Sequence, residues 1–160
     1  MKKINVLFVC LGNICRSPSA EAVMTALVKG EMLHQSIFCD SAGTSGYHDG
    51  ETADPRSITH AQKRQYPVTS ISRRILPEDF ERFDYIIVMD DENLKDVKKL
   101  DPQGQYADKI FKMTDFCEAK KYTHVPDPYY KGAEGFEEVL DILEDSCHGL
   151  LKKIKTTHGF

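Results

Sequence analysis

Hydrophobic positions alternate between two rhythms along the chain. Asn5 to Val9 is a nearly continuous apolar run containing Val and Phe, the pattern of a strand buried on both faces of a parallel sheet, and it predicts a central strand. Beyond a turn at Gly12 to Arg16, Ser17-Pro18 marks a helix start. Ala20, Val23, Met24, Leu27 and Val28 then recur at helical spacing as far as Gly30. Ile37 to Asp40 predicts a short second strand, and the small and glycine residues from Ser41 to Gly50 predict a loop. A helix follows over Thr52 to Gln65 with Pro55 in its first turn, then a short one over Asp79 to Phe83. Tyr85 to Met89 repeats the buried-strand pattern. Acidic Asp90-Asp91-Glu92 leads into a helix through Leu94, Val97 and Leu100 that Pro102 ends, and Lys109 to Met113 is a weaker strand. Thr114 to Tyr130 reads as a long loop, of the kind that is functional or mobile inside a compact domain. Phe136, Val139, Leu140, Leu143, Cys147, Leu150, Leu151 and Ile154 form one apolar stripe of a C-terminal helix. Gly149 interrupts that stripe, at about 1 kcal/mol relative to Ala if exposed.

Strands alternating with helices predict an α/β fold, a parallel sheet with right-handed crossovers and helices on both faces. Ligands bind such sheets beyond the carboxyl ends of the strands. Cys10 to Arg16, which leaves the first strand and enters the first helix, falls there by order alone.

Composition narrows the function classes. The 160 residues fit a single domain spanning 1–160. A net charge of −4 argues against a nucleic-acid partner, and 41% hydrophobic with 29% charged residues is enough for a globular core. The five cysteines form no C-x-x-C pair and do not alternate with His at zinc spacing, so neither a disulfide scaffold nor a metal site is expected. Lys2-Lys3 and the apolar run after them superficially imitate a signal peptide. Asn5 interrupts the run, however, and Gly12, Asn13 and Arg16 follow it instead of a cleavage site. No segment approaches the roughly 18 apolar residues of a membrane span, so the expectation is a soluble, reduced, cytoplasmic protein.

The loop between the first strand and helix carries the chemistry. Successive backbone amides and a helix N-terminus favour an anion, yet the Gly-Lys-Ser/Thr ending of nucleotide-binding loops and G-x-G-x-x-G are both absent. In their place stand Cys10, five residues, Arg16 and the hydroxyl of Ser17. A cysteine ahead of a helix N-terminus with an Arg beside it is the setting of a sulfur nucleophile, which makes Cys10 the candidate. Five intervening residues let the backbone wrap one tetrahedral oxyanion while the planar Arg16 guanidinium grips two of its oxygens. Ser17 is placed to donate to the Cys10 sulfur as it leaves, and Asn13 to hold the loop's shape. A buried structural cysteine is the ordinary alternative for C-x5-R alone.

These residues carry a family resemblance. Val6 to Pro18, with Cys10-Leu11-Gly12-Asn13-Ile14-Cys15-Arg16-Ser17 at its centre, resembles the signature of the low molecular weight protein tyrosine phosphatases. Asp40 to Tyr47, Phe83 to Asp90, and Asp127-Pro128-Tyr129-Tyr130 match as well, so the resemblance covers almost the whole chain. It implies a four-stranded parallel sheet in a three-layer α/β/α fold and phosphomonoester hydrolysis without metal or other cofactor. The catalytic residues it implies are Cys10, Arg16 and Asp127, with Leu11, Gly12, Asn13, Ile14, Cys15 and Ser17 forming the cradle. Asp127, between Pro126 and Pro128, would protonate the leaving oxygen and then activate water. Tyr129 and Tyr130 would line a slot for a phenyl phosphate opposite Leu11, Ile14 and Tyr47. Ser41 would hydrogen-bond Asn13, Asp90 would be a structural acid, and Cys15 would form a reversible disulfide with Cys10 under oxidant. Phosphotyrosine proteins or peptides are the implied partners, and phosphate or other tetrahedral oxyanions the implied inhibitors.

One stretch departs from the family pattern. Gln65 to Arg73 carries Ser70 where a His commonly joins the Asn–Ser network, so the loop's support is expected to be either weaker or rebuilt. Three rival readings are open. An arsenate reductase of this type needs two further cysteines close together, whereas Cys39, Cys117 and Cys147 are widely spaced in sequence. Protein-arginine phosphatases resemble this loop with Thr at the position of Ile14 and lack the Tyr-Tyr pair. A non-catalytic phosphate-binding module would have no use for Cys10, Arg16 and Asp127 together.

Overall fold

In the computed structural model, which describes residues 2–160, four parallel strands lie in the order β2-β1-β3-β4. They are β1 (Ile4–Cys10), β2 (Ile37–Gly43), β3 (Tyr85–Val88) and β4 (Ile110–Lys112). The central position of β1 follows from its apolar run: Val6, Leu7, Phe8 and Val9 are all fully buried. Alternate residues of β1 then serve two separate cores. Ile4, Val6 and Phe8 pack with α1 (Arg16–Gly30) and α5 (Ala133–His158), while Leu7 and Val9 pack with Phe80 of α3 (Asp79–Arg82) and Val97 of α4 (Asp91–Lys99). The helices therefore cover both faces of the sheet, as the alternating pattern implied. None of them is long and apolar enough to cross a membrane.

Two boundaries differ from the sequence reading. Strand β2 continues through Ser41, Ala42 and Gly43, residues whose composition suggested a loop, because their backbone pairs with Phe8, Val9 and Cys10 of the central strand. Small side chains are required there. A Cβ on Gly43 would lie 2.8 Å from the Leu11 carbonyl oxygen, so glycine lets β2 run directly beneath the cysteine loop. Helix α2 (Pro55–Lys63) begins later than Thr52, since Asp54 caps it by accepting from the Arg56 amide at 2.8 Å.

The C-terminal helix keeps its predicted stripe, but Gly149 has a different meaning. It is buried, and a Cβ there would lie 1.8 Å from the carbonyl oxygen of Phe116. The short 3₁₀ turn Met113–Phe116 packs straight onto the helix backbone, fixing the start of the long loop that returns to the site.

Candidate active site

Helix α1 has no acidic residue in its first turn and no side-chain cap, so the positive end of its dipole and its first amides face the loop that precedes it. The loop's own carbonyls are drawn away from its centre. Cys10 O accepts from Thr44 N and Leu11 O from Ser45 N, both at 2.9 Å, while Ile14 O accepts from Asp54 N at 2.8 Å. Gly12 O accepts from the Ser72 hydroxyl at 3.0 Å. Among the described residues, the amides of Gly12 through Cys15 meet no acceptor within the chain. A ring of outward carbonyls and unengaged amides is an anion cradle.

Asn13 holds this shape from beneath. It occupies the left-handed region at φ 56°, its Oδ1 accepts from Arg73 N at 3.0 Å, and its Nδ2 donates to Ser17 Oγ at 2.8 Å. Because Ser17 accepts from Asn13, its own proton is free to point to Cys10 Sγ, 3.0 Å away, or to the Ala42 carbonyl at 3.4 Å. The side chains of Asn13 and Ser17 thus brace the cradle from behind instead of forming the pocket wall, as Leu11, Gly12, Ile14 and Cys15 do.

The expected Ser41–Asn13 bond is absent. Ser41 shares the face of β2 that carries Ile37 and Cys39 toward α1, and its hydroxyl donates to Glu21 Oε1 at 2.6 Å. Ser70 brings no replacement for the missing His, since its buried hydroxyl has no partner. Ser72 and the Arg73 backbone supply the support instead.

Arg16 is only 3% exposed. Its Nη1 donates to Asp90 Oδ2 at 2.6 Å and to the Val125 carbonyl at 3.0 Å. Burial works against the guanidinium charge, but Cys10, Asp90 and Asp127 outweigh it and raise the Arg16 pKa. Asp90 serves two structural ends. One carboxylate oxygen holds Arg16 and the other caps α4 by accepting from Asn93 N at 2.7 Å.

Asp127 lies across the pocket with Oδ2 3.9 Å from Arg16 Nη2, and its Oδ1 accepts from Tyr129 N at 3.0 Å. Its side chain is 47% exposed. Tyr47, Tyr129 and Tyr130 complete the pocket wall, with the two adjacent tyrosines edge to face at 4.9 Å. Ser45 and His48 also line it, and neither was singled out by sequence. The position of His48 next to Tyr47 in a small-residue loop was the available signal. Its Nδ1 pairs with Glu51 at 2.9 Å.

The Cys15 thiol is pushed up to about 12 by burial, against the hydrogen bond from Ser57. All five cysteines are free, and among the described residues no group of three His, Cys, Asp or Glu side chains is placed to hold a metal ion.

Similarity to known proteins points to one family. Residues 5–158 match the family model for low molecular weight phosphotyrosine protein phosphatase. A protein tyrosine phosphatase from Entamoeba histolytica, solved with Hepes in its active site, superposes with a TM-score of 0.92 at 50% identity, covering 98% of this chain and 99% of that one. Low molecular weight phosphotyrosine protein phosphatase 1 of Drosophila melanogaster is 41% identical over 92% of this chain and 95% of its own length. A Drosophila arginine phosphatase shares the fold at a TM-score of 0.87 with 32% identity, over 97% of this chain and 98% of that one. The chain belongs to the low molecular weight phosphotyrosine protein phosphatase family.

Proposed function

We propose that this chain hydrolyses phosphotyrosine in proteins or peptides, and small aryl phosphates as well, through a phosphocysteine. The observation that carries the reading is the convergence of Cys10 Sγ, the unengaged amides of Gly12 to Cys15, the buried Arg16 and the Asp127 carboxyl on one pocket. Cys10 sulfur attacks phosphorus, the P–O bond to the aryl group breaks, and Asp127 gives its proton to the departing oxygen. The cradle amides and Arg16 hold the three equatorial oxygens as charge spreads onto them. In the second half, the Asp127 carboxylate takes a proton from water, which attacks phosphorus. The S–P bond breaks, with the Ser17 hydroxyl directed at the departing sulfur. Phosphate leaves with the cradle restored.

Ile14 and the tyrosines on the pocket wall favour a flat aryl ester over phosphoarginine. Binding of Hepes, a sulfonate, in the Entamoeba active site supports inhibition by tetrahedral oxyanions. The test is a panel of phosphotyrosine, phosphoserine and phosphoarginine peptides and p-nitrophenyl phosphate, each assayed with EDTA, beside an arsenate reduction assay. Phosphotyrosine and p-nitrophenyl phosphate should be cleaved. Equal cleavage of phosphoserine would overturn the aryl slot, and full activity from Cys10→Ser would overturn the mechanism.

A further inference from the structure

Asp127 sits in a stretch without regular secondary structure, and its carboxyl is half exposed, yet a general acid must be held within a few tenths of an ångström of the atom it protonates. The loop is tied down on each side of it. Upstream, Val125 N donates to the Met89 carbonyl at 2.8 Å and the Val125 carbonyl accepts from Arg16. Downstream, the Tyr129 carbonyl accepts from Arg56 Nη1 at 3.0 Å, and the Tyr129 amide is the group that donates to Asp127 itself.

Arg56 is well built for holding that end. Its Nε and Nη2 reach Asp54 Oδ1 and Oδ2 at 3.0 and 2.8 Å, a two-point fork, and its guanidinium lies 5.2 Å from the Tyr129 ring centre and 4.8 Å from that of Phe136. Asp54 in turn donates its amide to Ile14 O in the cradle. Ile14, Asp54, Arg56, Tyr129 and Asp127 form one continuous tie from the phosphate cradle to the acid.

We infer that Arg56 is a positioning residue for the general acid, fixing the downstream end of the Asp127 loop at a set height over the cradle. This rests on the proposal that Asp127 is that acid. Lys could not serve in its place, because a single ammonium cannot grip Asp54 at two points while donating to the Tyr129 carbonyl and lying flat between two rings.

The experiment measures kcat/KM, which covers expulsion of the phenol, across aryl phosphates from strongly acidic nitrophenols to plain phenol. Wild type, Asp127→Asn, Arg56→Met, Arg56→Lys and the double variant Arg56→Met with Asp127→Asn are compared. Loss of the acid steepens the dependence on leaving group. Both Arg56 variants should do the same in part, losing on the order of 10-fold on phenyl phosphate and little on the most acidic nitrophenol. Vanadate inhibition and the melting temperature should stay near wild type. In the double variant the Arg56 change should add nothing to the slope, because both act through one group.

A uniform loss on all substrates, a parallel fall in vanadate affinity, or a wild-type slope in Arg56→Lys would overturn the inference while leaving Asp127 as the acid. An unchanged slope in Asp127→Asn would overturn the acid assignment, and the inference with it. Should Arg56→Met not fold, Arg56→Lys carries the same test.

Discussion

Cys10, Asn13, Arg16 and Ser17 are each at most 3% exposed, and the loop they belong to is tied to Thr44 and Ser45 just past β2, to Asp54, and to Ser72 and Arg73. Across the same pocket, Tyr47 is 84% and Tyr130 95% exposed, and Asp127 depends on one backbone amide and on Arg16 at 3.9 Å. The difference follows from what each side must do. An oxyanion is stabilised only by donors that need not reorganise as charge develops, so the cradle has to be finished before substrate arrives. In the proposed reaction the opposite wall meets a leaving group attached to a polypeptide, and exposed aromatic rings can cover varied surfaces around a phenyl ring.

Replacing one residue on each side tests that contrast. Asp127→Ala should lower turnover on the order of 10²- to 10⁴-fold while vanadate inhibition stays within a few-fold of wild type, because the oxyanion cradle is untouched. Arg16→Lys should lower kcat/KM by about 10²- to 10³-fold and weaken vanadate as well, since the ammonium loses both the fork and the paired contacts to Asp90 and Val125. If the two variants bound vanadate equally, the division between a finished cradle and a separate acid wall would fail.

Smaller effects probe the edges of the comparison. Tyr130→Ala should raise KM for phosphotyrosine peptides about 3-fold with little change in turnover on p-nitrophenyl phosphate, as an exposed ring at the pocket rim would. A larger effect on the small substrate would place Tyr130 within the chemistry.

Behind the cradle, burial pushes Glu21 up to about 7 from an ordinary 4.5, opposed by the Ser41 hydrogen bond. Between those values the folded protein keeps a proton that the unfolded chain has released. Stability should therefore fall as pH rises through that window and level off above it. Glu21→Gln keeps the acceptor for Ser41 and removes the titration. Its melting temperature should match wild type near pH 4.5 and exceed it by a few degrees above pH 7. Parallel curves would show that Glu21 does not titrate there.

The contrast between the two sides of the pocket is also one of legibility. The cradle was readable because its parts are contiguous. A buried strand, a turn with Gly and Asn, Cys10 and Arg16 with five residues between them, and a Ser-Pro helix start lie within one short stretch. Asp127, Tyr129 and Tyr130 were reachable only through resemblance, since an Asp-Pro turn and a pair of tyrosines say little alone. Ser41 was misassigned for the same reason. Whether its hydroxyl meets Asn13 or Glu21 depends on which face of β2 it occupies, and its composition had suggested a loop there.

Local patterns in the chain fix the alternation of strands and helices, the central strand, and the strand-to-helix loop that carries Cys10 and Arg16. Those features are set by neighbours in the chain, through apolar periodicity, turn residues and caps. Long-range packing alone brings Arg16 to Asp90 and Val125, 74 and 109 residues away, and Asn13 to the Arg73 backbone, 60 residues away. The same packing gives the Phe116 carbonyl its room at Gly149 and joins Arg56 to the Tyr129 end of the Asp127 loop. A buried polar group must find a partner, but which one it finds is settled by the packing of whole elements, and no local pattern records that choice.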